Sequence, residues 1–364
     1  MHRSNKALDL LSRLLLPPRR QTTATPFPEQ LEKNVLNCSR AEFEELSALA
    51  AKNHVLMRGL ELFGQINLKA GNELRAAWAE DCLAAERTRI ENAISFLRQI
   101  TDAFTRAQIP AIVIKSLDHL PDLGSDLDLF TSAQPQDVIE LMQDSFRARL
   151  ASRSWGDRLA CKWNFILPGL PELVEIHVAR LGQTGEQLAI AASLIDRSRG
   201  LSLDDSMFRV PSISDRLMIS TLQRMYRHFY FRLCDVIDSA QVIEDGLVEY
   251  DDLFVAASTA GIWEGVATYL AIVSDYVGRF RGEPLEVPTW VRNVARFSGK
   301  EIYFAKDFLR VPILPQSAIL YGSQLAGTLR RRDVQSGARL SLLPWLATAA
   351  LVGQKITGSD KGIW

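Results

Sequence analysis

Two aspartates lie two residues apart inside an apolar run, and this feature constrains the fold more than any other in the chain. The run is Asp126-Leu-Asp-Leu-Phe130. Because successive side chains of a strand point to opposite faces, Asp126 and Asp128 are expected to project from the same face. Two like charges that close repel each other and resist burial unless a cation lies between them. The alternative is a surface strand whose two aspartates face water.

The segments on either side of this strand add to the pattern. An apolar strand, residues 111–115, ends at Lys115-Ser116, ten residues before Asp126, and the intervening loop is compact. A second apolar–acidic–apolar triplet, centred on Glu175, lies in a later predicted strand. Glu175 is therefore a candidate third carboxylate, and three acids supplying oxygen ligands predict a divalent-cation site.

The chain divides into four regions by its hydrophobic periodicity. Residues 1–38 hold a short helix and a polar linker over 19–36, residues 39–108 are a helical region, residues 109–211 form a core of strands with a helix over 135–146, and residues 212–364 are a C-terminal helical region. In the core, strands at 160–167 and 172–179 are expected to pair as a hairpin. The predicted fold class is therefore α+β and rich in helix, with a small mixed sheet flanked by helices on both sides.

A single helix is predicted over 214–242, because its apolar and polar residues separate onto two faces. The polar face carries Arg224, His228 and Arg232, each about one turn from the next. A solvated helix face is one interpretation of this pattern, and a cleft wall that contacts phosphate or base is the other. Further helices are predicted over 251–281, 287–310 and 314–331.

Composition is typical of a globular protein of 364 residues, with 47% hydrophobic and 23% charged residues. The net charge of −1 gives no strong sign of DNA binding. The four cysteines are widely spaced and are interpreted as reduced thiols of a cytoplasmic protein. The longest apolar run, 340–353, is shorter than the roughly 20 residues that span a bilayer, so no transmembrane segment is predicted there. A buried terminal helix is favoured over membrane contact.

The strand pattern resembles the nucleotidyltransferase superfamily that includes DNA polymerase beta. There, a strand and a small-residue turn precede paired aspartates by about ten residues, and a third acidic strand follows. The chain is more closely similar to the bacterial family 5 nucleotidyltransferases, whose motifs correspond to 109–116, 125–130 and 174–178 of this sequence. That family's C-terminal motif is matched by His228, Arg232, Leu233 and Asp235.

Two positions differ from this pattern. Lys115-Ser116 stands where these families carry a glycine, and a glycine there allows positive φ and close approach of the backbone to phosphate. The third acid is Glu175 instead of aspartate, and Val178 follows where an aromatic residue is expected.

The resemblance implies a metal-dependent enzyme that transfers a nucleoside monophosphate from an NTP, such as ATP, to a hydroxyl acceptor and releases pyrophosphate. Asp126, Asp128 and Glu175 are the expected catalytic acids and ligands of two Mg²⁺ ions, with Mn²⁺ as a substitute. The acceptor is a small molecule, a protein or an RNA end, and no sequence feature selects among them.

Nucleotide contacts are expected from residues on three segments: Lys115, Ser116, Ser125, Lys162, Arg224, His228 and Arg232. Lys115 would contact the β- and γ-phosphates by its charge, and Ser116 by its backbone N–H and hydroxyl. His177 shares a strand face with Glu175. It is either a structural histidine hydrogen-bonded beside the site, or a residue that supports the metal ligands or transfers a proton.

Two other functions remain open on sequence alone. A catalytically degenerate chain would bind a nucleotide or a partner on the same fold without turnover. A retained metal site would alternatively perform phosphoryl transfer or phosphodiester hydrolysis.

Overall fold

The computed structural model describes residues 6–18, 28–330 and 332–346. Helices make up most of the described chain and surround one five-stranded mixed sheet. The predicted α+β, helix-rich fold class is therefore confirmed.

The N-terminal region consists of helices. They are α1 Lys6–Leu15, α2 Glu29–Leu36, α3 Arg40–Lys52, α4 Leu56–Lys69 and α5 Glu73–Arg106. Helix α3 begins after a side-chain cap, because Ser39 Oγ accepts a hydrogen bond from the N–H of Glu42 at 3.3 Å. Glu42 Oε2 in turn accepts one from the N–H of Ser39 at 2.9 Å, which completes a capping box.

The linker predicted over 19–36 is wrong in its second half. Residues 29–36 form α2, because Leu31 and Val35 lie one turn apart and are both buried against the neighbouring helices. Residues 19–27 lie outside the described residues. A pair of apolar side chains is therefore enough to order this short, otherwise polar segment by tertiary packing.

The central region carries the main sheet. Its elements are β1 Ala111–Val113, β2 Asp126–Thr131, α6 Pro135–Phe146, β3 Arg149–Leu150, α7 Trp155–Leu159, β4 Lys162–Ile166, β5 Leu173–Val178, α8 Leu188–Ser193, β6 Arg199–Leu203 and β7 Ser206–Val210. The strand order is β1–β2–β5–β4–β3, and β6 and β7 form a separate hairpin. β2 and β5 pair in parallel, whereas the other neighbouring strands of the main sheet are antiparallel. The predicted strand around Asp126 and Asp128, the helix at 135–146 and the β4–β5 hairpin are confirmed.

The C-terminal region combines helices with a small sheet. Its elements are α9 Ile213–Thr221, β8 Tyr230–Phe231, α10 Leu233–Glu244, α11 Tyr250–Ala260, α12 Trp263–Arg281, α13 Thr289–Arg292, β9 Tyr303–Ala305, β10 Phe308–Arg310, α14 Ala318–Arg330 and α15 Val334–Leu340. The strand order of the small sheet is β8–β10–β9. The helix predicted over 287–310 is therefore wrong, because β10 pairs with β8 and β9 on either side and draws this segment into extended structure.

The single helix predicted over 214–242 is also wrong. Helix α9 continues as a wider π-helical segment, Leu222–Arg227, and the chain leaves it at Phe229, which has φ +54°. Strand β8 follows, and α10 begins a new helix because Asp235 Oδ2 accepts a hydrogen bond from the N–H of Arg232 at 2.7 Å. A helical periodicity of side chains therefore continues across a break in the backbone helix.

The buried apolar side chains form one continuous core through all three regions, from α1 to α14. No helix in the described ranges has both the length and the apolar character to cross a membrane. The apolar run predicted over 340–353 begins at the end of α15, and its residues after 346 lie outside the described residues.

Candidate functional site

The three predicted acids lie on one face of the main sheet. The parallel register of β2 and β5 places Asp128 directly opposite Glu175, and Asp126 opposite Leu173. Since side chains alternate along each strand, the three carboxylates project from the same face. The side chains of Asp128 and Glu175 are each only 12% exposed. Asp126 is half-buried at the start of β2 and accepts a hydrogen bond from Ser125 Oγ at 3.3 Å.

Two lysines lie among these acids. The Lys115 ammonium contacts Asp128 Oδ1 and is 3.6 Å from Glu175 Oε1. Lys162 Nζ lies 2.7 Å from Glu175 Oε2 and 2.7 Å from Asp157 Oδ1. The desolvation of the buried carboxylates is therefore offset by ammonium groups of the chain itself.

His177 lies beside Glu175 and is within hydrogen-bonding distance of it. Its Nε2 is 2.9 Å from Glu175 Oε1 and 3.9 Å from Asp128 Oδ1. Burial lowers the pKa of His177 to about 4, so the ring is neutral at neutral pH and Nε2–H donates to the carboxylate. Ligand atoms of Asp128, Glu175 and His177 lie within 4.8 Å of one another, whereas Asp126 does not belong to this closest group.

The facing carboxylates of Asp128 and Glu175 have opposite pKa shifts. Burial raises the pKa of Asp128 to about 7, Lys115 opposes that rise, and Glu175 adds to it. Burial also favours the neutral form of Glu175, but Lys115 and His177 outweigh it and hold the pKa of Glu175 well below its usual range. Burial and the charge of Glu175 raise the pKa of Asp126. Near neutral pH the face therefore carries an ionised Glu175 beside an Asp128 that readily takes up a proton.

The turn after β1 adopts the backbone conformation for which a glycine was expected. Lys115 has φ +63° and ψ −53°, and the N–H of Ser116 donates to the carbonyl of Ile114 at 2.6 Å, which makes a γ-turn. This conformation is rare and strained for a residue with a side chain. The positive φ is therefore present without the glycine.

Ser116 uses both of its predicted phosphate donors within the fold. Its N–H closes the γ-turn, and its hydroxyl accepts a hydrogen bond from the N–H of Asp128 at 2.8 Å. The same hydroxyl donates to the carbonyl of Asp126 at 3.3 Å. Ser116 therefore holds the turn against β2 and does not offer these donors to a ligand.

The loop between β1 and β2 is fixed to the N-terminal helices. Arg89 of α5 donates to the carbonyl of Gly124 at 3.2 Å and to Glu172 Oε1 at 2.6 Å. Asp122 accepts a hydrogen bond from Arg58 Nε of α4 at 2.7 Å. These contacts position the loop that leads into β2 at Asp126, and they explain why a loop of ten residues is compact.

A cleft of about 170 Å³ lies over the acidic face. Its described lining combines acids with basic residues: His54, Lys115, Ser116, His119, Gly124, Ser125, Asp126, Asp128, Glu175, Gln223, Arg224, Arg227, His228 and Arg232. Lys162, a predicted nucleotide contact, is not in this lining, and its ammonium pairs with Asp157 and Glu175. Every other predicted site residue except the supporting His177 is part of it.

The basic residues of the cleft lining come from the segment between α9 and α10. They are Arg224, Arg227, His228 and Arg232, and we call them the basic wall. Arg224 is buried and pairs with Asp235 at 2.8 Å, so its charge is already compensated. Arg227 and Arg232 are half-buried and form no ion pair with any described residue. Burial, followed by the charge of Arg227, holds the pKa of His228 well below its usual range. The single helix predicted to carry these residues is wrong, but the segment between α9 and α10 still brings them to the same cleft.

A second group of titratable residues at this cleft was not predicted. His54 and His119 line the cleft, and Cys234 lies next to His119 at the start of α10. Asp238, one turn further along α10, is 2.5 Å from His119 Nδ1. No local sequence signal identifies this group, because the residues come from segments that are distant in the chain and share no motif spacing.

Comparison of the sequence with protein-family models finds no match, and comparison with curated proteins finds none either. The chemistry of the site is therefore inferred from the residues of this chain.

Proposed function

We propose that this protein is a metal-dependent nucleotidyltransferase that transfers a nucleoside monophosphate from an NTP to a hydroxyl acceptor. The observation that carries the proposal is the pairing of Glu175 with Asp128 on neighbouring parallel strands, with Asp126 on the same face. Three carboxylates on one face provide the oxygen ligands that Mg²⁺ prefers. The four widely spaced cysteines are free thiols, and we expect the reaction to take place in the cytoplasm.

The donor set fits a hard divalent cation. Asp126, Asp128 and Glu175 would hold Mg²⁺, and His177 would orient Glu175 through its Nε2–H. Bound Mg²⁺ would activate the acceptor hydroxyl and stabilise the departing pyrophosphate. Lys115 contacts Asp128 directly, so its ammonium must leave this carboxylate before the oxygen can bind another cation.

The basic wall lines the same cleft as the acids and suits a triphosphate. Arg227 and Arg232 form no ion pair with described residues, and guanidinium groups bind phosphate oxygens in a bidentate manner. Lys115, once released from the acids, would contact the same phosphates. At about 170 Å³ the cleft is smaller than the roughly 300–1,000 Å³ of small-molecule pockets, so it would enclose the triphosphate and leave the base outside.

The bond changes follow from this placement. The acceptor oxygen forms a bond to the α-phosphorus as the bond between the α-phosphorus and the bridging oxygen breaks, and pyrophosphate leaves. The proton of the acceptor hydroxyl passes to solvent. The residues of this chain would align the triphosphate and neutralise the charge that gathers on the leaving group.

Two observations favour the alternative of a binding module without turnover. Lys115 and Lys162 already neutralise the acids, and Ser116 uses its donors internally. A chain of this kind would bind an NTP through the basic wall without cleaving it. The two functions differ in whether pyrophosphate appears.

The decisive experiment is transfer of label from α-labelled NTPs to acceptors in a cell extract, with pyrophosphate measured in parallel. Activity is expected with Mg²⁺ and is expected to be lost in the double variant Asp126→Asn/Asp128→Asn. Asp144→Asn, on the exposed surface of α6, is the matched control and should retain activity. Turnover that survives in the double variant would show that the metal-site assignment is wrong.

The same preparation separates the alternatives. Calorimetric binding of an NTP with no pyrophosphate from any nucleotide would support the binding module. Label that transfers only from γ-labelled NTP would instead indicate phosphoryl transfer.

A further inference from the structure

The second titratable group at the cleft has the composition of a transition-metal site. Sγ of Cys234 lies 3.8 Å from Nε2 of His119, and one ligand atom from each of His54, His119 and Cys234 lies within 4.8 Å of the others. Imidazole and thiolate are the ligands that zinc prefers, unlike the carboxylates of the main sheet. We propose that these three residues bind a divalent transition metal of the zinc type.

The distance between the two best-placed ligands is close to that of a formed site. Zinc lies about 2.3 Å from thiolate sulfur and about 2.0–2.1 Å from imidazole nitrogen, which in a tetrahedron separates sulfur and nitrogen by about 3.6 Å. The observed separation of 3.8 Å between Cys234 Sγ and His119 Nε2 requires only a small side-chain shift. Binding would release the thiol proton of Cys234 to solvent, because thiolate is the ligating form.

Asp238 orients His119 for this role. The carboxylate Oδ2 lies 2.5 Å from His119 Nδ1, and an ionised carboxylate only accepts, so Nδ1 carries the hydrogen. Burial opposes the charged form of His119, but Cys234 and Asp238 outweigh it and hold the pKa of His119 well above its usual range, so a bound cation would also displace the hydrogen of Nε2 to solvent. Arg58 holds the other oxygen of Asp238 at 2.7 Å, which fixes the carboxylate in turn. A carboxylate behind a ligating histidine is the usual support of a metal-bound imidazole.

His54 is held at the site by an uncommon backbone conformation. It follows α3 with φ +52°, in the left-handed region, and its ring centroid is 6.0 Å from that of His119. Its buried Nδ1 has no hydrogen-bond partner in the part of the chain that the structure describes. A buried ring nitrogen without a partner is costly, and a bound cation would compensate for it.

The same side chains have the order of a Cys–His–Asp catalytic triad, but access to the sulfur argues against a nucleophile. Cys234 is 0% exposed and is not part of the described cleft lining, so Sγ cannot reach a substrate carbon. A metal between the three ligands needs no such access. His54 and His119 do line the cleft, so a fourth coordination position would face it and take water or a group of the cleft ligand.

The test is titration of the full-length, chelator-treated protein with Co²⁺ as a spectroscopic substitute for zinc. One equivalent should produce a sulfur-to-cobalt charge-transfer band together with the absorption of a tetrahedral ion, and Zn²⁺ should abolish both. Cys234→Ser should remove the charge-transfer band. Cys38→Ser, which alters a buried cysteine of the N-terminal region, should retain it. The acids of the main sheet lack sulfur, so Co²⁺ bound there gives no such band.

A second variant keeps the test valid if Cys234→Ser fails to fold. His54→Gln leaves the pair between His119 and Asp238 in place, and it should weaken Co²⁺ binding about tenfold or more. Asp128→Asn should leave the band unchanged, which separates this site from the proposed nucleotidyltransferase centre. Absence of the charge-transfer band in the natural protein, or its persistence in Cys234→Ser, would overturn the proposal. An unchanged affinity in His54→Gln would overturn it as well.

Discussion

The ammonium group of Lys115 contacts the carboxylate of Asp128 from a turn that only a strained backbone permits. The lysine therefore contacts the carboxylate oxygen of Asp128 that the proposed Mg²⁺ would bind. It acts as a resident cation on Asp128, as Lys162 does on Glu175, and it helps to keep the facing Glu175 ionised. Most of the behaviour expected of this site depends on whether the lysine stays there or moves to a phosphate.

Removal of this resident cation should destabilise the fold. Lys115→Met leaves Asp128 and Glu175 facing each other with one fewer positive charge, and loss of one partner of a buried pair costs about 3–5 kcal/mol. Urea unfolding at neutral pH measures this change, and added Mg²⁺ should restore part of it. Lys33→Met, which removes an exposed pair with Glu29, is the control and should leave the free energy of unfolding nearly unchanged. Equal effects of the two variants would contradict the role of Lys115.

The backbone of Lys115 can be tested separately from its charge. Lys115→Gly and Lys115→Ala both remove the ammonium, but only glycine adopts φ +63° without strain. We expect the glycine variant to be more stable than the alanine variant by about 1 kcal/mol, measured by urea unfolding. An alanine variant as stable as the glycine variant would indicate that the γ-turn relaxes when the lysine is removed.

The pKa of Asp128 predicts a specific dependence of stability on pH. Its folded pKa of about 7 lies above the value of about 3.9 in an unfolded chain, so between these values the folded state binds more protons. The contribution of this group is therefore fully present below about pH 4 and is lost as pH rises through 7. Asp128→Asn should remove this loss, so its free energy of unfolding relative to the natural protein should increase from pH 4 to pH 7. Asp144→Asn should follow the natural protein throughout.

The strands could be predicted from the sequence because their signals are local. The alternation around Asp126 and Asp128 marks β2 at its observed bounds, and the proline at 135 marks the start of α6. The parallel pairing of β2 with β5 is long-range, and the local pattern does not predict its register, because both faces of β2 are buried along most of the strand.

The features that were predicted wrongly or missed depend on contacts between distant parts of the chain. The break at Phe229 depends on the pairing of β8 with β10, some eighty residues later, and helical periodicity continues through it. His54, His119 and Cys234 come together only after three distant segments pack, so no spacing in the chain reveals them. The conformation of Lys115 has no local signal either, because its positive φ is held by two hydrogen bonds of Ser116. One joins the N–H of Ser116 to the carbonyl of Ile114, and the other joins the hydroxyl of Ser116 to the N–H of Asp128.

The basic wall allows a final prediction that separates binding from folding. Arg227→Gln and Arg232→Gln remove guanidinium groups without a described ion-pair partner, so each should weaken NTP binding about tenfold while unfolding stays nearly unchanged. Arg232→Gln retains the N–H that donates to Asp235, so α10 keeps its start. Arg224→Gln should instead lower stability by about 3–5 kcal/mol, because it removes the ion-pair partner of the buried carboxylate of Asp235. Calorimetric titration with a non-hydrolysable NTP and urea unfolding of all three variants measure both quantities. If the Arg227 and Arg232 variants lost stability without losing affinity, the basic wall would be structural and the phosphates would bind elsewhere.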